Sequence, residues 1–188
     1  MIKKYLEFLN ESKTYQHSVK PLFHGSGFNF KKFNFDLIGK DYHILSFLGI
    51  HFTENDEVAE QFLKPPDYKL YEIELKYNKC LEINEGDLVK DMLKFGFENK
   101  YISDKYQFSL DLPYYLENIG DINSKYIPKD QTQKTALEYK KKLKKKGYDC
   151  IKYINEIEKP EINRWDWIAF YPEQINIIKV WDQKPELI

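Results

Sequence analysis

Helix-forming patterns in this chain sit between groups of short strand patterns, and the two do not alternate one for one. Regular strand–helix alternation specifies a parallel α/β sheet. Helices set between runs of strands specify an α+β fold with antiparallel sheets, which is the expectation here. The clearest strand signal is 68–78, where Leu70, Ile73 and Leu75 interleave with charge as on a half-buried antiparallel strand. Shorter runs at 22–23, 48–53, 80–83, 148–154, 165–171 and 175–181 read as further strands. A helix is expected over 53–63, capped by Thr53 or Asn55, with Val58, Ala59, Phe62 and Leu63 on one face and Pro65-Pro66 as its stop. A second covers 85–97, and a third 131–147, with Gly147 ending it and lysines favourable at that end. Residues 28–46 read as loop or irregular strand, 98–132 as an insertion with little regular structure, and 155–164 as a hairpin loop.

With 188 residues and 42% apolar content, the chain is one domain able to bury a core. Residues 20–188 are assigned to that domain. Residues 1–19 precede it as an amphipathic helix over 2–10 (Ile2, Tyr5, Leu6, Phe8 and Leu9 at helical spacing) and a polar linker over 11–19. No apolar run approaches membrane-spanning length, and the N-terminus lacks the apolar core of a secretory signal, so no membrane association is expected. The net charge of −1 argues against a nucleic-acid footprint over the whole domain. The lysine run Lys140–Lys146 reads either as a solvated helix end or as a local nucleic-acid patch. Cys80 and Cys150 are too few for a disulfide scaffold and read as buried free thiols of a reducing compartment. Arg164, the single arginine, reads as an exposed surface residue, or else as the one guanidinium available to a phosphate or carboxylate.

Three segments concentrate polar groups. In Phe23-His24-Gly25-Ser26, a His at a strand end followed by Gly suits close approach of a ligand to the backbone. The Gly peptide can pair with a planar carboxamide while His24 donates to a hydroxyl; a turn with a structural His fits the string as well. In Gly49-Ile50-His51-Phe52-Thr53, leading to Phe62, two rings could sandwich a flat heterocycle, or both could be ordinary core. In Trp165-Asp166-Trp167-Ile168-Ala169, alternation turns Asp166 and Ile168 away from Trp165, Trp167 and Ala169. Asp166 is then either an acid or electrostatic partner for a developing cation, or a rim Asp at a strand end. The four histidines, His17, His24, His43 and His51, have no metal-ligand spacing, so no metal site is expected.

Taken in order, these segments resemble the His-Tyr-Glu branch of the ADP-ribosyltransferase superfamily. LFHGSG is similar to the first family motif. LGIHFTENDEVAEQFL is similar to the second. KKKGYDCIKYINEIE with WDWIAFYPEQINII is similar to the closing strands of small bacterial and phage members. The resemblance spans about residues 20–180 and implies a split β-sandwich of two antiparallel sheets with flanking helices, with NAD in the cleft as substrate. It implies that His24 holds the nicotinamide ribose, that Gly25 pairs with the carboxamide through its backbone and that Phe62 stacks on the ring, with Ser26 and Phe52 as further NAD-binding residues. His51 stands where the family has a Tyr. Asp166 stands near the family's catalytic Glu, with Glu158, Glu161 and Glu173 as alternatives. The expected activity is mono-ADP-ribosyl transfer to a host protein or nucleic acid by a monomer in a bacterial cytoplasm. The other readings are a catalytically inactive binding module of this fold and an NAD glycohydrolase. Tyr5-Leu6-Glu7-Phe8-Leu9-Asn10-Glu11 resembles the cleavable targeting peptide (1–11) of internal head proteins of large tailed bacteriophages, which implies packaging in a phage head.

Overall fold

Among the described residues, a curled sheet of eight strands has helices set mainly against one face, so the chain is mixed α and β. The computed structural model describes residues 15–39, 44–103, 127–155 and 164–182. The expected helix at 2–10, the targeting peptide, most of the insertion and most of the 155–164 loop lie outside the described residues. The strands are β1 (Gln16–His17), β2 (Leu22–Ser26), β3 (Ile50–Thr53), β4 (Lys69–Tyr77), β5 (Cys80–Asn84), β6 (Cys150–Ile154), β7 (Trp165–Ala169) and β8 (Ile175–Asp182). Their order is β1-β4-β2-β3-β7-β6-β5, and β8 pairs with β4.

Two expectations about the sheet are corrected. The pair β5–β6 is parallel, whereas every other pair among the described residues is antiparallel. Between β5 and β6 the described residues include the helices α2 (Glu85–Glu98) and α3 (Lys129–Lys145), part of the long crossover that parallel pairing needs. The strands also join in one hydrogen-bonded sheet, not two. The join at β2–β3 is narrow: only Phe23↔Thr53 are in register there, against five registered pairs for β2–β4.

Alternation gives the sheet two different faces. On one, Ile83, Ile151, Tyr153 and Ile168 meet α2, α3 and the buried 3-10 turn Ile44–Phe47. Leu88, Met92 and Leu93 of α2 and Ala136, Tyr139 and Leu143 of α3 complete this core. On the other, Leu22, Phe52, Tyr71, Ile73, Trp167 and Ala169 are covered by Phe30, Phe33, Phe35 and Ile38. The described part of residues 28–46, expected to lack helix, thus includes the 3-10 turn Phe35–Leu37 and the start of a second, Ile44–Phe47.

Local differences have local causes. The helix expected over 53–63 is the short α1 (Asp56–Glu60), capped by the Asn55 side chain accepting from Val58 N–H at 3.0 Å. Its last turn tightens, with Phe62 and Leu63 bonding three residues back, before Pro65-Pro66 closes the segment. The linker contributes an edge: Gln16 and His17 pair with Tyr77 and Lys76. Gly147, at φ +84°, takes the left-handed position after α3 that a side chain would resist. Cys80 and Cys150 are not free thiols. They occupy one rung of the β5–β6 ladder and are joined as a disulfide, a pairing that a sequence separation of 70 hides. Among the described residues no helix is long and apolar enough to cross a membrane.

Candidate functional site

The three polar segments fold as neighbouring strands, β2, β3 and β7. After the Phe23↔Thr53 rung β2 and β3 diverge, and the His24 ring bridges them. Its Nδ1 lies 2.9 Å from the His51 carbonyl. A carbonyl only accepts, so Nδ1–H donates. Burial lowers the imidazole pKa, so the ring is neutral at pH 7 and Nε2 carries a lone pair. The direction expected for a ribose hydroxyl is therefore reversed: His24 accepts, and the hydroxyl donates. An edge contact with Phe33 and a tilted one with Phe52, at 5.2 and 5.7 Å between centroids, fix the ring.

Gly25 lies two residues beyond the last β2–β3 rung, so its edge toward β3 has no registered partner, while its other side pairs with Leu70. Glycine is required there. A Cβ would stand 2.0 Å from the Ala59 carbonyl oxygen of α1 and 3.2 Å from the Phe62 backbone. The same approach places Phe62 beside Gly25 with 43% of its surface exposed. The two rings proposed as a sandwich separate: Phe62 is available to a ligand, and Phe52, 2% exposed, is core. The Ser26 hydroxyl accepts from Phe28 N–H at 3.1 Å and so secures the following turn.

No protein family, curated protein or solved structure matches the chain. What each residue can do is thus read from geometry. His51 and Asp166 lie on the opposite side of the sheet from His24. His51 Nε2 donates to the Leu45 carbonyl at 3.0 Å, and its Nδ1 lies 3.2 Å from the Tyr153 hydroxyl. Asp166 sits opposite both Thr53 and Tyr153 in the ladders. Its Oδ2 accepts from Asn155 at 2.7 Å, and its Oδ1 faces Arg164 Nε at 3.4 Å. Burial raises the carboxyl pKa; bonding to Thr53 and Asn155 and the charge of Arg164 oppose that rise. Arg164 is not a surface residue. It is buried at 4% exposure against Asp166, because the β6–β7 hairpin folds both inward. Of the alternatives to Asp166, Glu173 is exposed in the 3-10 turn Pro172–Gln174 after β7; Glu158 and Glu161 lie outside the described residues.

The sequence reading missed Glu54. One step beyond Thr53, it shares the Phe52 side, where Trp167 Nε1–H donates to it at 3.1 Å and Lys20 approaches at 3.5 Å. Continuing the β3 alternation by one residue would have found it. It is a carboxylate on His24's side of the sheet, beside the β2–β3 joint. Among the described residues, no three His, Cys, Asp or Glu side chains are grouped to hold a metal ion.

Proposed function

We propose that the chain is an NAD-dependent mono-ADP-ribosyltransferase acting on a protein or nucleic acid of a bacterial host. The observation that carries the reading is the β2–β3 divergence. It puts an unpaired Gly25 edge, a hydroxyl-accepting His24 Nε2 and an exposed Phe62 in one neighbourhood. These groups suit a carboxamide, a ribose hydroxyl and a flat pyridinium ring. The single-rung joint also supports the finer fold reading, an ADP-ribosyltransferase-like fold in which one curled sheet is pinched between β1-β4-β2-β8 and β3-β7-β6-β5.

In this reading NAD is the substrate. Heterolysis of the nicotinamide–ribose bond sends the bonding pair to nicotinamide and leaves positive charge on the ribose. The acceptor's nucleophile then bonds to the anomeric carbon and loses its proton. Glu54 is the carboxylate placed to face that charge. Asp166, buried and paired, positions the start of β7 instead. The work proceeds in the host cytoplasm, and residues 1–11 would direct packaging into a phage head.

A second reading, a non-catalytic module that binds an NAD-like ligand, is favoured by the burial of Asp166 against Arg164. One experiment separates the readings. The protein is incubated with tagged NAD and bacterial lysate, and labelled macromolecules and free nicotinamide are measured for wild type, His24→Ala and Glu54→Gln. Transfer predicts label with wild type, loss of at least about a hundredfold in His24→Ala, and lowered turnover with retained NAD affinity in Glu54→Gln. Nicotinamide without label identifies a glycohydrolase. NAD binding without either product identifies the binding module. Full activity in His24→Ala overturns the site.

A further inference from the structure

We propose that the exposed side of α3 is a docking surface for duplex DNA, engaged through the phosphate backbone and independent of any transferase activity. Residues 129–146 hold eight lysines and two acids in a chain whose net charge is −1, so the rest of the molecule is acidic and positive charge is gathered on this one helix. Lys134, Lys141, Lys144, Lys145 and Lys146 are exposed. Lys141 pairs with Glu138 at 2.6 Å. Lys134, Lys142, Lys144, Lys145 and Lys146 have no ion-pair partner among the described residues. A solvated helix end would need only a lysine or two to complement the dipole; this surplus of uncompensated cations is left over.

The ammonium groups are also held in place. Lys134 lies over the Tyr101 ring at 5.1 Å, Lys142 over Phe95 at 4.9 Å and Lys144 over Tyr171 at 4.6 Å. Lys79 joins the same end of the helix, over Tyr148 at 4.2 Å with its Nζ donating to the Lys146 carbonyl at 3.3 Å. Stems laid on rings lose less entropy when a phosphate is met. Lys140 is different: it is half-buried near Phe35 and Phe170, with its pKa lowered to about 8 by burial and Lys144, and it is not counted in the outer line.

Lys134, Lys141 and Lys145 recur at helical spacing, so they lie along one side of α3 over roughly 16 Å. That length matches about five phosphates of one strand of a duplex. The rings beneath are covered by lysines and so are not open platforms for bases, which favours a duplex over a single strand. The surface has no Arg, so it tracks the backbone without reading sequence.

The test is fluorescence anisotropy of a short labelled duplex with the full chain, titrated from about 50 to 200 mM salt. Wild type should bind at low salt and weaken steeply as salt rises. Lys141→Gln/Lys144→Gln/Lys145→Gln together should weaken binding at least about tenfold and flatten the log–log salt slope by about 2.7. Lys94→Gln, on α2, should leave both unchanged. If the triple variant melts early, the three single variants replace it, each expected to flatten the slope by about 0.9. Four outcomes would overturn the proposal: no binding at low salt, unchanged binding in the variants, tighter binding to the matching single strand, or uptake by phosphatidylserine vesicles in place of the duplex.

Discussion

Asp166 and His24 show how one sheet gives two polar residues different work. His24 has one nitrogen committed to a backbone carbonyl and one lone pair to offer, and its pKa is lowered so the pair stays free. Asp166 is committed on both oxygens' sides, to Asn155 and to Arg164. Removing it takes away the carboxylate that the buried Arg164 guanidinium faces at 3.4 Å. Asp166→Ala should therefore destabilise the fold by about 3–5 kcal/mol, read by urea unfolding. That is far more than His24→Ala, whose loss is expected in ligand chemistry. The sign of the pH effect follows from the raised carboxyl pKa. The native state keeps its proton where the unfolded chain has released it. Stability from this group is thus fully present at low pH and declines as pH rises from the ordinary carboxylate range through the raised value. Asp166→Asn, which cannot ionise, should lack that decline when unfolding is compared across pH.

Among the elements, β4 does most to hold the aromatic side of the sheet together. Tyr71 is fully buried and stacks on Phe30 at 4.2 Å between centroids. Its hydroxyl donates to the Phe28 carbonyl and accepts from Phe30 N–H, both at 2.8 Å. A segment with only a short 3-10 turn is thereby pinned to the sheet beneath His24. Tyr71→Phe keeps the ring and removes the hydroxyl, leaving two backbone groups unsatisfied. The expected cost is about 1–3 kcal/mol, with faster amide exchange at Phe30 as the specific sign. A loss of stability without local exchange would mean that the segment is held by its rings alone.

At the scale of the whole molecule, the disulfide ties the β5 edge to β6 across a crossover of 70 residues. By loop-closure entropy such a link stabilises by up to about 4 kcal/mol. Reduction, or Cys80→Ser, should lower the melting temperature by several degrees, on the order of 10 °C, while a thiol count on the unfolded, unreduced protein finds none. In a reducing cytoplasm the same sulfurs are thiols, and the two-sided core must hold the fold without them.

The sequence by itself determined the pieces that depend on near neighbours. Alternation in 165–169 set Asp166 and Ile168 against Trp165, Trp167 and Ala169. Asn55 and the acids after it set α1, and Gly147 set the end of α3. His24 and Gly25 were expected at a strand end, but β2 runs on through Ser26 because it pairs with β4 as far as Lys69, so both lie within the strand. Only the tertiary structure decided the parallel pairing of β5 with β6, the cross-link it creates, the burial of Arg164, and which side of the sheet each polar residue serves. His24 and His51, 27 residues apart, are joined by a side chain and a backbone carbonyl across a diverging strand pair. Periodicity and capping act over a few residues. Strand order, register and the desolvation of a charge depend on segments far apart in the chain, which meet only when the sheet closes.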